Sequence, residues 1–224
     1  MKMADKTLSP GDIFSSVSAT IAANSQVLGL YVLFFAIATS LADLLTFSVV
    51  SAAGSLLQFV LTVLDFLAQY LLIETMLKQA RLSGGGTGRR YLAFLGLSIL
   101  TSLGIALGLL LLIIPGLILA ARWSLVYPLL IGGYADPMDC FAESNRLTKE
   151  HEVPIILAGL ILIVPLAVII GLLFAVGSDV GGVLLSTLIP NLLLQCVSVI
   201  SLALPVALFA LLGPQDEQLT EVFN

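Results

Sequence analysis

The sequence predicts an all-α polytopic membrane bundle with six transmembrane helices and two shorter helices at the membrane surface. Of its 224 residues, 59% are hydrophobic and only 10% are charged, whereas soluble domains carry roughly 25% charged residues. Apolar runs of about 20 residues, long enough to cross a hydrocarbon core of ~30 Å, recur along the chain. Lysine and arginine gather in alternate connections between those runs. Residues 1–224 are therefore expected to form a single integral membrane domain.

The boundaries of the spans follow from the apolar runs. In chain order they are predicted at residues 25–46, 53–77, 91–114, 117–133, 153–176 and 184–212. The third and fourth spans meet at Pro115-Gly116, where proline stops one helix and glycine permits a turn, so we expect a tight hairpin there. Pro165 is expected to kink the fifth span, and Pro190 and Pro205 to bend or break the sixth.

A short helix is expected before the first span. Ser9 is a good N-cap and Pro10 a good first helical residue. The apolar residues that follow recur at helical spacing with serines between them. This pattern predicts an amphipathic helix over residues 10–23 that lies in the membrane interface. A frayed tail is the alternative.

A second short helix is expected between the fourth and fifth spans. Asp136 and Pro137 predict its start, since aspartate caps helices well and proline suits the first turn. The segment 137–149 is polar, and Glu143 and Arg146 are spaced to pair along it. We expect a cytoplasmic helix that lies on the membrane and packs on the bundle. A surface for docking a partner is the alternative interpretation.

The distribution of basic residues predicts the orientation of the chain. Positive residues concentrate in cytoplasmic connections. Eight of the nine fall before the first span or after the second and fourth, at Lys2, Lys6, Lys78, Arg81, Arg89, Arg90, Arg146 and Lys149. With six spans, both termini are then expected in the cytoplasm.

The ninth basic residue, Arg122, falls within the fourth predicted span. Counted from Leu117 at the outer end, Arg122 lies roughly 8 Å deep, at 1.5 Å per residue. A side chain of that length can reach the outer headgroups from such a depth. Asp43, in the first span, lies at a similar estimated depth. The matching depths lead to the hypothesis of an ion pair between Arg122 and Asp43 inside the bundle.

Asp65 is predicted to lie near the middle of the membrane, roughly 18 Å into the second span. Gln58 and Gln69 flank it in sequence, and Asn191 and Gln195 supply further polar groups from the sixth span. One interpretation is a proton or substrate site along a polar path. The other is a polar cluster that holds helices together.

No enzymatic signature is present in the sequence. The single histidine, His151, lacks the second histidine of a zinc-binding H-E-x-x-H motif, and no G-x-S-x-G motif occurs. Ser144 and Lys149 stand five residues apart and point away from each other on a helix. Cys140 and Cys196 are interpreted as free thiols. We expect no catalysis, cofactor, metal or nucleic-acid partner.

The segment from Ile113 to Glu152 resembles the membrane domain that precedes the catalytic domain in some bacterial glycerophosphodiester phosphodiesterases, and the stand-alone relatives of that domain. The shared motif consists of Ile114-Pro115-Gly116, Arg122, Pro128, Cys140, Ser144 and Leu147-Thr148. Cys140 departs from the alanine usual there, and Glu150 stands where glycine is frequent. The resemblance implies a bacterial inner-membrane protein. It does not imply phosphodiesterase activity, because the soluble catalytic domain is not among these residues.

Taken together, these features favour an accessory or structural membrane protein. Its expected partners are membrane lipids, with a membrane-protein partner or a second copy of the chain as further candidates. The alternative is a small transporter or channel that uses the polar cluster around Asp65.

Overall fold

A computed structural model of the chain describes residues 8–48, 51–83, 90–180, 182 and 184–213. Within these ranges the chain forms helices and no β-strand. A π-helical turn, Leu184–Leu188, precedes the last helix. The α-helices are α1 (Pro10–Ala23), α2 (Ser25–Ser48), α3 (Ser51–Gln79), α4 (Tyr91–Leu111), α5 (Ile113–Arg122), α6 (Val126–Gly132), α7 (Cys140–Thr148), α8 (Glu152–Val180) and α9 (Ile189–Leu212).

Six of the helical segments are long and apolar enough to cross a membrane, as the sequence predicts. They are Ser25–Thr46, Ala53–Gln79, Tyr91–Leu111, Ile113–Gly132, Glu152–Leu173 and Ser186–Leu212. Their bounds agree with the predicted spans to within a few residues. The exception is the fourth, which starts earlier than predicted and is divided into α5 and α6. For the residues that the structure describes, the all-helical class with six helices able to span a membrane is therefore confirmed.

The amino-terminal helix begins where the sequence predicts. The Ser9 hydroxyl accepts a hydrogen bond from the Asp12 backbone N–H, and the Asp12 carboxylate accepts one from the Ser9 backbone N–H, which closes a capping box. Ile13 and Val17 are buried, and α1 packs chiefly against α9. The helix is therefore tied into the bundle through its apolar face. Its position at a membrane interface stays a prediction.

The hairpin between the third and fourth spans turns at Leu112 and not at Pro115-Gly116, so that prediction is wrong in its position. Leu112 has extended backbone angles, and α5 begins at Ile113. Pro115 lies in the first turn of α5, where a backbone N–H has no partner within the helix and its absence costs little. Gly116 faces α4, and a Cβ atom on it would lie 2.5 Å from the Leu109 backbone nitrogen. Gly116 therefore allows α4 and α5 to approach each other closely.

The polar helix α7 begins at Cys140 and not at residue 137, so the predicted cap at Asp136 is wrong. Its first residue is preceded by a turn in which the Asp136 carbonyl oxygen accepts hydrogen bonds from the backbone N–H groups of Asp139 and Cys140. The Asp136 carboxylate lies 3.5 Å from the guanidinium of Arg90. Asp139 occupies the N-cap position instead, and its side chain makes no capping hydrogen bond.

The last span forms much of the core. Helix α9 packs against α1, α2, α3, α6 and α8, and it is buried almost continuously from Leu202 to Phe209. Both α8 and α9 continue through their internal prolines, Pro165 and Pro205. In the sixth span the π-helical turn runs directly into α9 at Ile189, next to Pro190, without a break in the helix.

Candidate functional site

The fourth span is interrupted between Arg122, the last residue of α5, and Val126, the first of α6. The end of one helix leaves backbone carbonyls without partners, and the start of the next leaves N–H groups without partners. Lipid offers no hydrogen bonds to these groups, so irregular backbone inside a membrane protein must be satisfied by other protein groups.

Helix α7 supplies those hydrogen bonds from two buried hydroxyls. Ser144 Oγ donates to the Arg122 carbonyl oxygen at 2.6 Å and accepts from the Leu125 backbone nitrogen at 3.1 Å. Thr148 Oγ1 lies 3.2 Å from the same Arg122 oxygen. Both side chains are completely buried. Ser144 therefore bridges the break, because it forms hydrogen bonds with the last residue of α5 and with the residue that precedes α6.

The Arg122 side chain pairs with Glu152, and the hypothesis of an Arg122–Asp43 pair is wrong. Arg122 Nε donates to Glu152 Oε1 at 2.6 Å, and the two side chains are 35% and 20% exposed. Arg122 ends α5 and Glu152 begins α8, so each charge also lies at the helix end that favours its sign. The Arg122 side chain therefore points toward the start of α8.

Asp43 instead belongs to a contact between α2 and α9. Asn191 Nδ2 donates to Asp43 Oδ2 at 2.8 Å and lies 3.1 Å from Ser40 Oγ. The Ser40 hydroxyl donates in turn to the carbonyl oxygen of Ala36 on its own helix. These hydrogen bonds join α2 and α9 through polar side chains on two largely apolar helices.

Asp65 is held by two neighbours that occupy both of its carboxylate oxygens. Tyr31 Oη donates to Oδ1 at 2.7 Å, and Gln69 Nε2 donates to Oδ2 at 2.8 Å. Tyr31 is buried and lies on α2, whereas Gln69 lies one turn along α3 from Asp65. The arrangement links the two helices, as a packing contact would.

The other polar residues grouped with Asp65 by sequence are separated from it. Asn191 binds Asp43, as described above, and Gln58 is exposed on α3. Gln195 is buried on α9, where its Oε1 atom has no hydrogen-bond partner among the residues that the structure describes. The predicted single cluster is therefore two separate contacts and an isolated amide.

Replacing Gln69 with leucine is expected to lower the free energy of unfolding by about 1 kcal/mol, the size of a polar contact between membrane helices. Gln58→Leu is the matched control, because it makes the same change at an exposed position of the same helix. We expect it to leave stability unchanged or slightly higher. Thermal unfolding in mild detergent measures both, and equal effects would mean that the Asp65 contact contributes nothing.

A groove of about 270 Å³ lies between α5 and α8 with α9 beneath it. Ala121 and Ile155 at its floor are buried, whereas Leu160 and Val164 at its rim are exposed. The hydroxyl of Ser124, its one polar lining side chain, donates to the Ala121 carbonyl oxygen. The groove is therefore apolar and open along one side. The remaining lining residues are Leu117, Ala120, Ile156, Gly159, Ile163 and Leu204.

The Arg122–Glu152 pair lies about one helical turn beyond the Ile155 end of the groove, and neither residue lines it. Glu152 stands three and four residues before Ile155 and Ile156, so all three share one face of α8. The apolar groove thus has a charged pair close to one end.

The exposed side of α7 carries an ion pair between two of its own residues. Arg146 donates to the Glu143 carboxylate, as the sequence predicts, and this bond holds the pKa of Glu143 below its usual value.

Burial raises the pKa of the Cys140 thiol to about 11, so the thiol is protonated at neutral pH and is a poor nucleophile. The helix is also anchored by Phe141, whose ring centroid lies 4.8 Å from that of Trp123.

The other motif residues lie in packed positions. Pro128 is buried in α6, and Leu147 packs against the core from α7. Sequence reasoning missed Glu152 and Tyr31, the partners of Arg122 and Asp65. The signal for Glu152 was its place directly before the apolar run of the fifth span.

Comparison with protein-family models, with curated proteins and with solved structures gave no match to this chain.

Proposed function

We propose that this chain is a non-catalytic accessory protein of a bacterial inner membrane, with both termini in the cytoplasm, that binds one membrane lipid in the groove between α5 and α8. The observation that carries the proposal is the groove itself. It combines a buried apolar floor with an exposed apolar rim, on a chain with six helices long and apolar enough to span a membrane.

The length and the lining of the groove favour a hydrocarbon chain as its occupant. From Ile155 to Val164 along α8 the groove extends roughly 14 Å, at 1.5 Å per residue. Its lining is apolar apart from the Ser124 hydroxyl, which donates to the Ala121 carbonyl oxygen. An acyl chain matches this length and this apolar lining.

Two observations support a non-catalytic role. The hydroxyl of Ser144, a residue of the shared motif, is fully buried and engaged by two backbone groups. The motif shared with the membrane domain of glycerophosphodiester phosphodiesterases places its polar residues at the break in the fourth span, where Ser144 and Thr148 hold the backbone. A role in shaping the bundle accounts for these residues without any reaction.

Transport through Asp65 is the weaker candidate. Both oxygens of that carboxylate are engaged by Tyr31 and Gln69, which supports a packing contact over an open ion site. The groove between α5 and α8 is lined by none of these three residues.

Filling the groove tests the proposal. In Gly159→Leu, a Cβ atom meets its nearest neighbour, Leu204 Cδ2, at 4.0 Å, so the backbone accepts a side chain that then occupies the groove. Gly171→Leu is the matched control on the same helix, since Gly171 is exposed and has nothing within 4 Å. We expect native mass spectrometry with palmitoyl-oleoyl phosphatidylglycerol to show one retained lipid on the wild-type chain and on Gly171→Leu, and several-fold less on Gly159→Leu.

Equal retention of phosphatidylglycerol by all three chains would show that the lipid does not bind in the groove. Absence of retained lipid on the wild-type chain would contradict lipid binding as the function.

A further inference from the structure

We infer that the bound lipid is a phospholipid, and that its phosphate accepts hydrogen bonds from the terminal guanidinium nitrogens of Arg122. This inference rests on the proposed function, because it identifies the head group of the molecule whose acyl chain lies in the groove.

The Arg122 guanidinium keeps hydrogen-bonding capacity beyond its ion pair. A guanidinium carries five N–H donors in a fixed plane, and Glu152 receives the one on Nε. The side chain is 35% exposed, although it belongs to a helix of an apolar span. The two terminal nitrogens make no hydrogen bond to the residues that the structure describes, so their four donors are those that the inference assigns to the phosphate.

The position of the guanidinium matches the shape of a phospholipid. The apolar groove ends about one helical turn from the ion pair, because Glu152, which binds Arg122, shares one face of α8 with Ile155 and Ile156. A molecule with its chain along the groove therefore presents its head group near Arg122. Guanidinium groups bind phosphate through two parallel N–H···O bonds, a geometry that a point charge such as lysine does not offer.

Glu152 limits how strongly the phosphate is held. Its carboxylate lies 2.6 Å from Nε and is 20% exposed, so it repels an approaching phosphate and competes for the guanidinium. The ion pair as a whole is neutral. Recognition therefore depends on hydrogen bonds to the phosphate and not on attraction between net charges. A lipid with the same chains but no phosphate lacks this interaction.

The experiment compares two lipids that differ in the phosphate-bearing head group. Wild-type protein in mild detergent is incubated with equimolar palmitoyl-oleoyl phosphatidylglycerol and palmitoyl-oleoyl glycerol, which carries the same acyl chains, and retained lipid is counted by native mass spectrometry. We expect about tenfold more phosphatidylglycerol than diacylglycerol, the ratio that one charge-assisted hydrogen bond supports.

Charge variants then test the assignment to Arg122. Glu152→Gln keeps an oxygen that accepts from Nε but removes the competing charge, so retention of phosphatidylglycerol should rise several-fold. Glu150→Gln is the matched control, because it makes the same change of net charge at an exposed residue two positions earlier. Arg122→Gln should abolish the preference for the phosphate-bearing lipid. Glu152→Gln preserves a hydrogen bond at the pair, so it reports on the assignment even where Arg122→Gln does not fold.

Each result separates this inference from the function on which it rests. Equal retention of the two lipids by the wild-type chain would overturn the phosphate assignment and leave lipid binding intact. A rise with Glu150→Gln as large as that with Glu152→Gln would overturn the assignment to Arg122. Retention of neither lipid would overturn the proposed function itself.

Discussion

The Gly116→Ala variant is expected to lose roughly 3 kcal/mol or more of stability, at the upper end of the cost of overpacking a core. A Cβ atom at this position would lie 2.5 Å from the Leu109 backbone nitrogen and 2.7 Å from Leu109 Cγ and Cδ2. Because one of these atoms is backbone, no change of side-chain rotamer relieves the contact. Helices α4 and α5 must separate, and the hairpin that brings α5 to the groove loosens with them.

Gly96→Ala provides the comparison for Gly116→Ala. Gly96 lies on the same hairpin, in α4, is exposed, and has nothing within 4 Å of an added Cβ atom. Alanine is favoured over glycine inside a helix by about 1 kcal/mol, so Gly96→Ala should be neutral or stabilising. Thermal unfolding of both variants in the same detergent gives the difference. Similar melting temperatures would mean that the close approach of α4 and α5 is not required.

The Ser144→Ala variant is expected to lose about 1–3 kcal/mol, the cost of leaving a buried hydrogen-bonding group without a partner. It removes the donor to the Arg122 carbonyl oxygen and the acceptor for the Leu125 backbone N–H. Thr148 still lies near the carbonyl oxygen, so the unpaired N–H accounts for most of the loss. The packing change is small, since alanine differs from serine by one oxygen atom.

The exposed serine Ser18 supplies the matched control for Ser144→Ala. Its hydroxyl donates to the Ser15 carbonyl oxygen within α1 and bridges no break. Ser18→Ala should therefore change the melting temperature little. A Ser144→Ala protein as stable as Ser18→Ala would show that the break between α5 and α6 does not depend on α7.

The number and order of the spans could be predicted from sequence because each apolar run must match the thickness of a bilayer. The break at residues 123–125 could not, since Trp123 and Leu125 are as apolar as the helices around them. Only the polar residues of α7 indicate that backbone groups there need partners. Those residues lie about 20 positions further along the chain, so the connection is visible only in three dimensions.

The pairing of polar residues was predictable only where helical spacing alone decides it. Asp65 and Gln69 stand one turn apart on α3 and do interact, and Glu143 pairs with Arg146 for the same reason. Gln58 lies on the same face as Asp65, two turns away, yet it is exposed. The exposure of Gln58 depends on which helix packs against α3 near this residue. The spacing of residues along α3 does not show which helix that is.

The partner of Arg122 was predicted wrongly because depth was counted along a straight helix from Leu117. The helix begins at Ile113 and ends at Arg122 itself, so the side chain meets the start of α8. The similar depth estimates for Arg122 and Asp43 therefore did not indicate a contact between them.

Whether a lipid occupies the groove between α5 and α8 is decided by the number of phosphatidylglycerol molecules that native mass spectrometry finds on each chain. One molecule on the wild-type protein and on Gly171→Leu, with a several-fold loss on Gly159→Leu, is the result we predict. An unchanged number on Gly159→Leu, in a variant that unfolds at the wild-type temperature, would show that the lipid binds elsewhere.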